Sequence, residues 1–162
     1  MKRRWLWWLI ALLVIVGAPV AWYLGSPLFI NRTVSEALPP SGAVSDAPAI
    51  EARGTFTDAD DFHKGSGNAL IVRVGDDRVL RFEEFNVTNG PDLYVYLAAH
   101  PQPRSRADVG QGFVNLSRLK GNIGAQNYAV PASVRLETYQ SVVIYCRRFH
   151  VVFSTATLQA VQ

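Results

Sequence analysis

The sequence predicts an all-β domain, an antiparallel β-sandwich or barrel-like fold, preceded by one N-terminal transmembrane α-helix. Three observations carry this reading. A charge-free apolar run opens the chain, short segments rich in Val, Ile, Leu, Phe and Tyr follow one another beyond position 52, and Gly, Pro and Asn separate them. Short strands at intervals of about ten residues with turn residues between them are the pattern of a sandwich or barrel.

The apolar run covers residues 5–24 and follows Lys2, Arg3 and Arg4. At about 1.5 Å per residue, a helix of this length spans about 30 Å, the thickness of a bilayer's hydrocarbon core. The three cations predict a cytoplasmic N-terminus and an extracytoplasmic location for everything after residue 25. Trp5, Trp7 and Trp8 at one end and Trp22 and Tyr23 at the other match the aromatic belts of a spanning helix. Gly17 and Pro19 are tolerated in such helices. A cleaved signal peptide is the competing reading, with Val16-Gly-Ala18 as a weak cleavage site. The apolar character continues past that site, which favours an uncleaved anchor touching the lipid bilayer through residues 5–24.

Three units follow: residues 1–25 as a transmembrane anchor, 26–51 as an extracytoplasmic tether rich in Pro, Ser and Ala, and 52–162 as the folded domain. The chain has 16 Lys and Arg against 13 Asp and Glu, and three of those cations precede the span, so the remainder is neutral. No basic cluster with interleaved aromatics occurs in the domain, which excludes a nucleic-acid binder as a reading.

Within the domain, residues 69–74 and 78–82 flank Gly75-Asp-Asp and predict a hairpin. Residues 93–97 follow the turn Asn89-Gly-Pro-Asp92. Two more strands are expected at 142–146 and 149–153, on either side of Arg147-Arg148. The stretch 116–119 is expected to make a single helical turn at most, and no long helix is predicted after the anchor.

The chain has one cysteine, Cys146. An extracytoplasmic domain normally uses cysteines in pairs, so a lone one is a packing residue, a reactive thiol, a cofactor ligand or an intermolecular link. Alternation puts Val142, Ile144 and Cys146 on one face of their strand, with Val143 and Tyr145 on the other. A cysteine continuing an aliphatic face reads first as buried packing. His150 follows at Cys-x3-His spacing, which resembles the copper loop of cupredoxins, and a metal set of Cys146, His150 and His63 is the weaker alternative. The only methionine, Met1, precedes the span, and two arginines crowd the loop, both of which disfavour copper. His63 stands in an Asp-rich turn with Asp58, Asp60 and Asp61, which lacks the downstream Glu of an EF-hand. His100 reads as a loop residue. No phosphate cradle, nucleophile elbow or metalloprotease helix is present, so no hydrolase or transferase apparatus is visible.

Seven fragments occur in order: Gly54-x-Phe56, His63-x-x-x-Gly67, Val79-Leu-Arg-Phe82-x-x-Phe85, Asn89-Gly-Pro-Asp-Leu-Tyr-Val-Tyr-Leu97, Leu119-Lys-Gly-Asn-Ile-Gly124, Asn127-Tyr-x-x-Pro131 and Tyr139-x-Ser-Val-Val-Ile-Tyr-Cys146-x-x-Phe149-x-Val-x-Phe153. Together they resemble the DM-thirteen domain across residues 52–158. The resemblance implies an all-β extracytoplasmic module with a role in electron transfer. It also implies that Cys146 is the family's characteristic cysteine, acting as redox thiol or as ligand to a prosthetic group such as haem, and that His63 stands at the family's histidine position, whereas His150 lies outside the pattern. The expected cofactor is haem or none, and the expected partner is an extracytoplasmic redox or envelope protein. The alternative function is a non-catalytic cell-surface interaction or ligand-binding domain in which Cys146 is only packed.

Overall fold

A computed structural model describes residues 3–40 and 48–161. The elements are α1 (Arg4–Phe29), β1 (Thr33–Ser35), β2 (Ala49–Thr55), β3 (Thr57–Asp58), β4 (Gly65–Val74), β5 (Asp77–Val87), β6 (Leu93–Ala98), α2 (Arg106–Val109), β7 (Phe113–Arg118), β8 (Ile123–Val130), β9 (Ser141–Cys146), β10 (Val151–Thr157) and β11 (Gln159–Ala160). α1 carries an apolar window, Arg4–Trp22, long and apolar enough to cross a membrane, and none of that window is buried against the protein. Its backbone continues to Phe29, past the expected end near residue 24.

The strands form two sheets in the orders β1-β8-β5-β4-β2-β11 and β3-β10-β9-β6-β7. Every described pairing is antiparallel except that of β1 with β8. The all-β sandwich expected from the strand spacing is therefore present. The expected hairpin is β4–β5, closed by Gly75 at φ +60°.

The inner faces meet over an apolar core. Phe56, Phe82 and Phe85 lie 4.7–4.9 Å apart, centroid to centroid. Ile71, Leu80, Leu97 and Ile144 fill the space around them with no exposed surface. Such aromatic pairs add about 0.5–1.5 kcal/mol each beyond the area they bury. Gln126 is fully buried beside this core and is satisfied locally. Its Nε2 donates to the Gly121 carbonyl at 2.7 Å, and its Oε1 accepts from the Tyr128 hydroxyl at 2.6 Å. Tyr128 in turn accepts from the Lys120 N–H at 3.1 Å.

Three local expectations differ from the structure. Thr33–Ser35 falls inside the 26–51 segment read as a tether, yet it pairs in parallel with Ile123–Ala125 of β8. Two glycines make room for it, since a Cβ at Gly121 would collide with the Arg32 carbonyl and one at Gly124 (φ +98°) with the Val34 carbonyl. Glu36 extends the contact, accepting from Lys120 Nζ at 2.8 Å and from the Asn127 N–H at 2.8 Å. Residues 41–47 of the same segment lie outside the described residues. Second, the connection after β9 is a four-residue turn, Arg147 to His150, and β10 starts at Val151 rather than 149. His150 takes φ +57° there and Phe149 is solvent-exposed. Third, the 116–119 stretch is not a helical turn: Leu116, Ser117 and Arg118 belong to β7, paired with β6.

Candidate functional site around Cys146

Cys146 is the last residue of β9, and the predicted alternation holds. Val142, Ile144 and Cys146 face the core between the sheets, while Val143 and Tyr145 face a second cluster on the outer side. Both faces of β9 are buried because Ala59 of the loop after β3, Val109 of α2 and the outer aromatics Tyr94 and Tyr96 pack on the side that a two-layer sandwich would leave to water. Arg104 fixes that cover by donating to the Asp58 and Ala59 carbonyls at 2.7 and 3.0 Å.

Across the sheet Cys146 is flanked by Leu93 of β6 and Val151 of β10. The sulfur's residue exposes no surface. Phe153 stands on the inner face at the β10 irregularity, where the register shifts between Val152 and Ser154. Gly90 closes over both neighbours: a Cβ there would press on Leu93 Cδ2 at 2.8 Å and on the Phe153 ring at 2.9 Å.

His63 reaches this end of the sandwich through the loop after β3. Its ring packs on Phe153, centroids 4.2 Å apart, and its Nδ1 lies 2.6 Å from Asp60 Oδ2. Asp60 also accepts from the backbone N–H groups of Phe62 and His63 at 2.8 and 2.7 Å, which builds the turn. The His63 hydrogen bond, with the two backbone donors, pulls the Asp60 carboxyl from its usual 3.8 down to about 2. Asp58 accepts from the Gly65 N–H and pairs with Lys64. The acidic run is thus a self-satisfied turn. His63 thus meets the core through Phe153, a member of the same buried cluster as Cys146.

His150 goes elsewhere. Its ring lies 6.4 Å from that of Tyr145, on the outer face, so Cys146 and His150 point to opposite sides of the sheet. His100 is in the loop after β6, where its carbonyl accepts from the Ser141 hydroxyl at 2.7 Å. Among the described residues, no group of three or more His, Cys, Asp or Glu side chains is placed to hold a metal ion. A haem does not fit at Cys146 in this conformation either, because the residue exposes no surface.

Leu93, Gly90 and Phe153 all lie within the fragments quoted from the sequence, but sequence reasoning gave none of them a place near the thiol. The pairing register sets Leu93 opposite Cys146, and Gly90 lies against both Leu93 and Phe153. Leu93 also stands in the wall of a cleft of about 410 Å³ that is lined by Asn89, Pro91, Arg118 and Asn122. The thiol is therefore one side chain away from an opening.

Residues 55–158 match the family described as electron transfer DM13. The chain belongs to that family. The match spans the DM13 domain from the end of β2 to the residue after β10 and includes both His63 and Cys146. A search of curated proteins and a search of solved structures each return no match.

Proposed function

We propose that this protein is a membrane-anchored accessory of electron transfer that works outside the cytoplasm, with Cys146 as its redox-active group and His63 as part of the cover over it. The observation that carries the proposal is the DM13 match over residues 55–158, with Cys146 at a strand end one side chain away from a cleft. The basic N-terminus followed by the apolar helix supports the location and the orientation. In the closed conformation the thiol is shielded, so its reaction with a redox or envelope partner requires Leu93 or Phe153 to move aside. No step through a bound haem or metal is part of this reading.

The zero exposure of Cys146 favours a second reading, a non-catalytic surface interaction domain in which the cysteine is packing alone. Purified full-length protein, wild type and Cys146→Ala, separates the two. Both are titrated with a graded series of dithiol/disulfide redox buffers, and the thiol's modification state is read by mass spectrometry under native conditions. A mixed disulfide at Cys146, formed on the native protein faster than global unfolding allows, supports the redox reading. A thiol that reacts only at the rate of global unfolding supports the interaction domain.

A further inference from the structure

One end of the sandwich gathers five segments. They are the loops 59–64, 88–92, 119–122 and 147–150 and the 30–32 junction that follows α1. Hydrogen bonds tie them together. Asn31 Oδ1 accepts from Asn122 Nδ2 at 3.0 Å and from Asn89 Nδ2 at 2.8 Å, and the Arg32 N–H donates to Asn122 Oδ1 at 2.7 Å. The Lys64 N–H donates to Thr88 Oγ1 at 2.8 Å, and the Arg147 N–H to the Asp92 carbonyl at 3.1 Å.

This end carries the two most exposed large apolar side chains of the described domain, Phe62 at 83% and Phe149 at 63%. A single exposed phenylalanine needs no explanation, but two at the tips of separate loops on one end of the domain ask for a partner. Chain continuity says what that partner is. α1 ends at Phe29 and the domain takes hold at Asn31 and Arg32, so a single residue links them, Ile30, whose N–H still caps the helix at the Ser26 carbonyl. One residue spans at most about 3.6 Å, so this end of the domain lies beside the helix terminus whatever angle the helix takes. If the apolar span ends near residue 24, five more helical residues rise about 7.5 Å, comparable with the headgroup layer on one side of a bilayer.

We propose that this end is a lipid-contacting surface, in which Phe62 and Phe149 dip into the headgroup and upper acyl region of the leaflet from which α1 emerges. The proposal rests on the reading of α1 as a membrane anchor. Arg148 immediately precedes Phe149, is exposed, and makes no ion pair among the described residues, which leaves it free for a lipid phosphate, while Arg147 beside it lays its guanidinium over the Tyr94 ring at 4.4 Å. Asp60 and Asp61 immediately precede Phe62 and limit it to a shallow insertion, because a carboxylate stays at the water side of the interface. The same end carries Cys146, Leu93 and His63, so the cover over the thiol faces lipid rather than the aqueous compartment.

The test uses the full chain with Cys146→Ala and single cysteines introduced by Phe62→Cys, Phe149→Cys, Asp76→Cys or Leu13→Cys. Each is labelled with an environment-sensitive fluorophore and reconstituted into phosphatidylcholine–phosphatidylglycerol vesicles. Asp76 lies in the β4–β5 turn at the opposite end of the domain, and Leu13 lies inside α1. Lipids with a nitroxide near the headgroup should quench the labels at 62 and 149 at least three-fold more than the label at 76. Labels at 62 and 149 that behave like the one at 76, while the label at 13 is strongly quenched by deeper nitroxides, overturn the lipid-contacting surface and leave the anchor intact. An unquenched label at 13 overturns the anchor and the surface together.

Discussion

Leu93 and Cys146 face each other across β6 and β9, and the same leucine forms part of the wall of the cleft at the α1 end of the domain. Directly opposed side chains in an antiparallel pair have Cβ atoms about 4.5–5.5 Å apart. Leu93→Ala should therefore open the cleft onto the sulfur. The expected outcome is a rise of at least ten-fold in the rate of native-state thiol labelling, at a stability cost of about 2–4 kcal/mol. Leu97→Ala is the control, since Leu97 is equally buried but pairs with Val142 at the other end of β9. It should cost similar stability and leave the labelling rate within two- or three-fold of wild type. Equal acceleration by both would attribute the labelling to unfolding and remove Leu93 as the cover.

The environment of Cys146 also sets what replaces it. Leu93 and Val151 offer no hydrogen-bond partner from their side chains. A serine would bury a hydroxyl against aliphatic neighbours, at about 1–3 kcal/mol, whereas alanine loses only a small side chain at about 1 kcal/mol. Urea unfolding of Cys146→Ser and Cys146→Ala should place serine as the more damaging change. The reverse order would mean that a polar partner lies near the sulfur.

Acid should loosen the His63 loop. Asp60 has a folded-state pKa of about 2 against its usual 3.8, so its contribution is present above 3.8 and is lost as pH falls towards 2. Asp60 is about half exposed, so the effect is modest. Unfolding midpoints of wild type at pH 4, 3 and 2 should fall more steeply than those of Asp60→Asn. Part of the slope persists in the variant, because the Gly65 N–H and Lys64 hold Asp58 low, and the Arg104 N–H and Ser105 hold Asp108 low. Parallel slopes for the two proteins would show that the His63–Asp60 contact adds nothing in solution.

Gly124 decides whether β1 stays in the sheet. Its φ of +98° and its contact with the Val34 backbone leave no place for a Cβ. Gly124→Ala should cost more than about 1 kcal/mol and detach β1. Limited proteolysis would then cut near residues 33–36 in the variant and not in wild type.

Tyr128→Phe removes the hydroxyl that Gln126 and the Lys120 N–H share. Two buried or half-buried polar groups lose a partner at once, for an expected cost of about 1–3 kcal/mol in thermal or urea unfolding. Burial already raises the Tyr128 pKa well above that of an ordinary phenol, in keeping with a hydroxyl that stays neutral in the network. An unchanged midpoint would mean that water replaces the phenol.

The elements legible in the sequence are those whose evidence is local. The β4–β5 hairpin announces itself through Gly75 and its aliphatic flanks, and β9 through the four apolar residues before Cys146. β1 has three residues, and its place depends on Gly121 and Gly124, some ninety positions away, so no local pattern marks it. The boundary of β10 was displaced because Phe149 has strand-like chemistry but lies in a turn whose length His150 permits by adopting a positive φ. At the site, alternation gave the direction in which Cys146 points, yet the identity of its cover required the register of β6 against β9. The position of His63 depends likewise on the irregularity that turns Phe153 inward.

The junction at Ile30 has a dynamic consequence. With α1 in a bilayer and Asn31 and Arg32 already fastened to Asn122, the domain has almost no slack with which to sweep the space above the membrane. Encounters then depend on lateral diffusion in the plane of the membrane, and a partner of this end must itself be embedded in that membrane or held flat against it.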